Sequence, residues 1–245
     1  MERGIWAIYI DIDGFSALWG DQLRAVKSLG QLMLAIFRVG RLCYPEPPDR
    51  LCAYQLGDGF LIVSDWHEES LERCATIAVA LMRHVAGSGC YARAAVAEGD
   101  LADIQGCYPP EVMDCREGDH TISLHMGLMT ITPVMGTALI GAVAVDKAAP
   151  RGPLLSVDYS NCARLGPDFS TRPMAGGRLE SVDWVHFESD LLTGIQKTAG
   201  LAAPTPKDLE EMLERYSREE AVPADWRTSL NNLLGISIGA DDAHA

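Results

Sequence analysis

Residues 5–12, Ile-Trp-Ala-Ile-Tyr-Ile-Asp-Ile, form an almost unbroken apolar run with one carboxylate near its end. Such a run predicts a strand buried on both faces. Over 21–40 the apolar positions Leu23, Val26, Leu29, Leu32, Met33, Ile36 and Phe37 recur every three or four residues. This spacing predicts a helix with one buried stripe, stopped by Pro45, Pro47 and Pro48. Two short apolar runs, 51–56 and 60–64, flank Gly57-Asp58-Gly59. Glycines supply the positive φ of a tight turn, so this reads as a hairpin. Residues 68–86 predict a second helix, with Leu71, Cys74, Ala75, Ala78, Leu81, Met82 and Val85 on one side, and residues 91–98 a further strand.

The order β-α-β-β-α-β is the split βαβ arrangement of ferredoxin-like α+β domains. Beyond it, Gly106, Pro109, Pro110 and Gly118 interrupt 100–133, which predicts an insert with a hairpin or loop at 120–132. A third main helix is expected at 136–149, a strand at 152–158, a loop over 166–181 and a last strand at 182–187. After Pro204 and Pro206, amphipathic helices are expected at 206–219 and 224–234. The expected organisation is a domain over 1–190 with its insert, then a C-terminal helical extension over 191–245 that is solvated or serves as a dimer arm.

Composition narrows the function. The 245 residues include 34 acidic and 20 basic side chains, a net charge of −14. That balance repels a nucleic-acid backbone, so no nucleic acid is expected as a partner. No apolar run reaches the length of a membrane span, and the N-terminus runs straight into a strand without a secretory signal. A cytoplasmic protein with no membrane partner is the expectation. Seven cysteines, none in a CxxC pair, fit a reducing compartment and argue against a zinc site or a disulfide framework. Cys43, Cys74 and Cys162 read as small hydrophobes.

The informative pair is Asp11 and Asp58. In a split βαβ fold the first strand is central and antiparallel to the third. The acid that ends the first strand therefore lies beside the acid in the turn that opens the third. Two carboxylates held close repel unless protons or cations lie between them, and hard divalent ions suit such oxygens. Gly14 and Gly57 remove side chains where a triphosphate would approach the backbone. Asp13 faces away from Asp11 along the strand and reads as an outward or capping residue.

The segment Tyr9-Ile10-Asp11-Ile12-Asp13-Gly14-Phe15-Ser16, then Tyr54-Gln55-Leu56-Gly57-Asp58-Gly59-Phe60, then Arg93 in a strand ending at Glu98-Gly99, resembles the class III nucleotidyl cyclases. Met135-Gly136-Thr137-Ala138-Leu139-Ile140 and Lys147-Ala148-Ala149-Pro150-Arg151-Gly152-Pro153-Leu154 resemble the bacterial pyrimidine cyclases of Pycsar anti-phage systems. The resemblance implies that Asp11, the Ile12 carbonyl and Asp58 hold two Mn²⁺ or Mg²⁺ ions. It also implies that Arg93 holds the triphosphate and that the backbone at Gly14 and Phe15 approaches the phosphates. The position that reads a purine in related cyclases, Lys or Glu, falls on Tyr54, which favours a smaller base. The implied reaction converts UTP to 3′,5′-cyclic UMP and pyrophosphate in a homodimer with sites at its interface. Asp11, Asp58 and Arg93 would come from one protomer and Tyr54 from the other.

The chain departs from the family where an Asn and an Arg are expected on the later helix, at Ile140 and Ala144, and near Pro133, where a second base-reading carboxylate is expected. Arg93, Lys147, Arg151 or Arg178 are the cations left to meet transition-state charge. CTP as substrate, a diguanylate-cyclase-like enzyme and a non-catalytic nucleotide sensor stay open as alternatives.

Overall fold

The computed structural model describes residues 4–18, 20–47, 49–64, 68–132 and 134–235. Trp19, Pro48, Pro133, residues 65–67, the first three residues and the last ten lie outside them. Strand β1 (Ile5–Ile12) leads through the short α1 (Phe15–Leu18) into α2 (Gln22–Arg38), which runs on as a π-helical turn, Val39–Cys43. The hairpin β2 (Leu51–Leu56) and β3 (Gly59–Ser64) follows, then α3 (Glu72–Ala86) and β4 (Ala92–Gly99). The insert holds β5 (Ala102–Asp103), α4 (Pro110–Met113), β6 (Thr121–Leu124), β7 (Gly127–Thr130) and β8 (Val134–Met135). Helix α5 (Thr137–Ala148) returns to β9 (Leu155–Asp158), followed by β10 (Thr171–Pro173) and β11 (Leu179–Val182). The chain closes on α6 (Asp190–Ala199), α7 (Pro206–Glu219) and α8 (Ala224–Leu234).

Seven strands form one sheet in the order β10-β11-β9-β4-β1-β3-β2. β1 is central and antiparallel to both β3 and β4, while β9 is parallel to β4. This is the expected α+β split βαβ core, extended by β9–β11. β1 is buried on both faces because period-2 alternation sends Trp6, Ile8, Ile10 and Ile12 into the main core and Ala7 and Tyr9 into a smaller one. The main core lies between one sheet face and α2 and α3. The smaller core lies on the other face under α5, among Ala7, Leu61, Val63, Ala97, Ala138 and Ala142.

Three expectations are corrected. The buried side of α2 is Ala25, Ser28, Leu32, Ala35 and Ile36, so Leu23, Val26, Met33 and Phe37 of the expected stripe face outward. Small residues let the helix lie close on its neighbours, which turns the larger side chains away. The expected loop over 166–181 contains β10, and the expected last strand is displaced toward the N-terminus as β11. Residues 184, 185 and 187 are buried outside the sheet, where the buried Arg83 guanidinium donates to the carbonyls of Trp184 (3.0 Å), Val185 (3.0 Å) and Phe187 (2.5 Å). The C-terminal helices are not a solvated appendage. Leu209, Leu213, Trp226, Leu230 and Leu233 are all buried in the main core. Helix α6 was not legible in the sequence. Among the described residues no helix is long and apolar enough to cross a membrane.

Candidate active site

The registers assemble one end of the sheet. Asp11 is the direct partner of Arg93 across β1 and β4. Ile10 pairs with Phe60 across β1 and β3, so Asp11 lies beside Gly59. A Cβ on Gly59 would come 2.8 Å from the Tyr9 hydroxyl and 3.2 Å from the Asp11 Cβ. A side chain at residue 59 would wedge into the site, and glycine keeps it open. Asp58 is the next residue, at the hairpin tip, and Gly57 before it has φ +70°. Positive φ at the first turn position is what two-residue hairpin loops of the II′ kind use. The topology thus sets Asp11 and Asp58 at the same end of the sheet, where the Asp58 charge acts on Asp11.

The surroundings are electrostatically unusual. Burial, followed by the nearby carboxylate of Asp146, pushes the Asp11 carboxyl up to about 7; Arg93 opposes this, and Asp58 and Asp13 add to it. Burial and the neighbouring Asp11 likewise push Tyr9 up to about 12. Oδ1 of Asp11 is buried with no hydrogen-bond partner. A buried carboxylate oxygen without a donor, beside a second carboxylate, is a position that a cation would satisfy. Among the described residues no group of three or more His, Cys, Asp or Glu is arranged around a metal position. The Asp11 and Asp58 carboxylates and adjoining backbone oxygens are the groups that could hold a hard, oxygen-seeking divalent ion.

Arg93 faces this site but is held by Asp146 on α5. Its Nε donates to Asp146 Oδ1 at 2.7 Å and its Nη2 to the Asp146 carbonyl at 2.5 Å. Both side chains are largely buried. Asp146 is not among the residues to which the sequence motifs point. The available signal was a single acid in the otherwise apolar helix Thr-Ala-Leu-Ile-Gly-Ala-Val-Ala-Val-Asp-Lys-Ala. Ile140 is exposed on the same helix, and Lys147 and Arg151 are exposed near its end. Arg178 lies at the opposite end of the sheet, donating to Asp158 at 3.1 Å.

The loop after β1 is pinned from two sides. The Asp13 N–H donates to the Tyr91 carbonyl at 2.9 Å. Its carboxylate accepts from Trp226 Nε1 on α8 at 2.5 Å. Burial raises the Asp13 carboxyl, and the hydrogen bonds from Trp226 and the Gly152 backbone work against that rise. Asp13 is thus an internal anchor and not an outward residue. Gly14 has φ +71°, and its carbonyl accepts from Ala17 and Leu18, which starts α1. Phe15 packs against the main core, and the Ile12 side chain is buried within it. Tyr54 pairs with Leu61, which pairs with Tyr9, so Tyr54 shares the Asp11 face two strands away. There it packs on the smaller core.

Fold and site define a split βαβ domain with a carboxylate pair at one end of its central strand. No protein-family model matches the chain, and no curated protein matches it. Among solved structures, it is similar to a bacterial light-regulated adenylyl cyclase at 11% identity and a TM-score of 0.42, over 80% of this chain and 58% of that one. The chain therefore spans less than two thirds of that protein's length. It is also similar to the guanylyl cyclase Cya2 at 13% identity and a TM-score of 0.41, over 74% of this chain and 92% of that one.

Proposed function

We propose that this chain is a class III nucleotidyl cyclase acting on a pyrimidine nucleoside triphosphate, with UTP as substrate and 3′,5′-cyclic UMP as product. The observation that carries the reading is the Asp11–Asp58 pair, with the buried Asp11 Oδ1 left without a donor. Asp11, Asp58 and the Ile12 carbonyl would hold two Mn²⁺ or Mg²⁺ ions. Bound there, such ions supply positive charge beside the triphosphate and lower the pKa of the ribose 3′-hydroxyl.

In the reaction the 3′-oxygen bonds to the α-phosphorus, the bond from that phosphorus to the bridging oxygen breaks, and pyrophosphate leaves with the electron pair. The 3′-proton goes to water. The chain's own part is positioning and screening of charge. Gly14 adopts a positive φ and puts no side chain between the loop backbone and the position proposed for the phosphates. Arg93 would exchange Asp146 for a phosphate oxygen when substrate binds. Tyr54 presents a ring and a hydroxyl that suit a small base and leave no Lys or Glu to read a purine.

Two sites in a head-to-tail homodimer are part of this reading, with Tyr54 of one protomer serving the carboxylates of the other. The half-buried residues Cys52, Tyr54 and Leu56 on the Asp11 face of β2 are the surface it would use. A cytoplasmic role in anti-phage signalling rests on the resemblance of 135–140 and 147–154. The deciding experiment incubates the protein with each of the four NTPs and Mn²⁺ and identifies products by mass. Cyclic UMP from UTP, lost in Asp11→Ala and Asp58→Ala, supports the reading; no cyclic product from any NTP overturns it.

The Arg93–Asp146 ion pair, together with Ile140 and Ala144 on α5, favours one second reading, a nucleotide sensor without turnover. Metal-dependent binding of a nonhydrolysable UTP analogue with no pyrophosphate release would select it.

A further inference from the structure

Helix α2 leaves Leu23, Val26, Met33 and Phe37 exposed at 80, 57, 44 and 55%. Their spacing of three, seven and four puts them on one helical face. Gly30 lies on that face too, and apart from its chain neighbours and the helix's own backbone no atom comes within 4 Å of where its Cβ would be. Glycine weakens an exposed helix interior relative to alanine, and nothing within the chain requires it there. From residue 22 to residue 45 the chain carries Arg24, Lys27, Arg38 and Arg41 and no acid, and of these Arg24 is paired to Glu220 at 2.7 Å. Lys27 and Arg41 are exposed alongside the stripe.

A second apolar surface has the opposite charge. The β6–β7 hairpin exposes Leu124, Met126 and Leu128 at 57, 94 and 67%, and every residue of β7 is exposed. The insert leading into it carries Asp100, Asp103, Glu111, Asp114, Glu117 and Asp119 against Arg116. A two-stranded ribbon is marginal in water unless something packs on it. Both surfaces are open within the chain, so neither covers the other there. One is apolar and basic, the other apolar and acidic.

We infer that the β6–β7 hairpin of one copy docks across α2 of a second copy. The opposite charge of the two surfaces selects this occupant over an α2–α2 pairing, which would set like charges together, and over an anionic lipid surface, which the net charge of −14 opposes. The contact lies on the α2 side of the sheet, away from the Asp11 face, and does not depend on the proposed catalysis.

The test uses two surface variants of the full chain, Val26→Glu/Met33→Glu on α2 and Met126→Lys/Leu128→Lys on the hairpin. Circular dichroism and Tm check that both fold. In sedimentation equilibrium at tens of micromolar, the wild type is expected to be heavier than either variant alone. An equal mixture of the two variants is expected to regain association, because an intact α2 then meets an intact hairpin. The inference is overturned if the wild type is no heavier than the variants, if the mixture recovers nothing, or if the hairpin variant associates like the wild type, which would indicate α2–α2 pairing. Flotation of a non-associating wild type on phosphatidylserine vesicles would also overturn it. None of these readouts involves nucleotide turnover.

Discussion

The indole N–H of Trp226 donates to the carboxylate of Asp13 at 2.5 Å, tying helix α8 to the loop that follows Asp11. The Trp226 ring lies 5.6 Å from Tyr216, which lies 4.8 Å from Tyr91, and the Tyr91 carbonyl accepts from the Asp13 N–H. The far C-terminal helices thereby brace the backbone of Ile12, Asp13 and Gly14. Trp226→Phe keeps the aromatic packing and removes the donor. We expect a loss of about 1.5–3 kcal/mol in stability, the range for hydrogen bonds to charged groups. Turnover should fall without a matching rise in KM. Denaturant melts and steady-state kinetics on the same variant check both.

Asp11→Asn tests the carboxylate pair by two independent measurements. The folded chain holds the Asp11 proton up to about 7, whereas the unfolded chain releases it near 3.8. Between those values the folded state binds more protons, so metal-free stability falls as pH rises through this window. Asn carries no charge, so the variant should flatten that fall and be more stable than wild type at pH 8. The same variant should lose metal binding, and turnover should drop on the order of 10²–10³-fold, as for loss of a main electrostatic stabiliser. Titration calorimetry with Mn²⁺ and metal-free urea melts from pH 4 to 8 are the measurements. A variant less stable than wild type at pH 8 would contradict the buried-acid account.

Gly59→Ala places a methyl group where 2.8 Å separates it from the Tyr9 hydroxyl and 3.2 Å from the Asp11 Cβ. Overpacking of this kind typically costs about 1–3 kcal/mol. We expect turnover to fall tenfold or more as the hairpin tip is pushed off β1, with metal affinity falling in parallel. A variant with wild-type metal affinity would place the cation elsewhere.

His186 links the segment after β11 to α7. Its Nδ1 lies 2.9 Å from Asp183 and its Nε2 2.8 Å from Glu210. Burial works to lower its pKa, but the hydrogen bonds to Glu210 and Asp183 outweigh it and raise the value above 6.5. The stabilisation is therefore complete below about 6.5 and is lost as pH rises through the raised folded value. His186→Gln should remove that slope. Because the ring is partly exposed, solvent screens the effect and it should be modest. Urea melts of both proteins between pH 5.5 and 8.5 read it as the difference between them, since the Asp11 slope is common to both.

Much of the fold was legible because it is written in local periodicity. β1, the β2–β3 hairpin, α3, β4, α5 and the two tail helices stand where apolar spacing put them. The buried side of α2 differs from its expected stripe because periodicity reports an apolar face and not which neighbour covers it. Here the small side of the helix lies against the core. Helix α6 escaped because its short apolar pattern follows a buried irregular segment held by Arg83.

The amino-acid pattern alone determined the βαββαβ order, and with it that Asp11 and Asp58 would meet, since antiparallel pairing of β1 with β3 follows from that order. Only the tertiary structure decided that Asp146 claims Arg93 and that Trp226 claims Asp13. Those partners are 53 and 213 residues apart along the chain. No local spacing encodes such pairs. They arise when burial removes water from a charge and leaves the nearest complementary side chain to replace it.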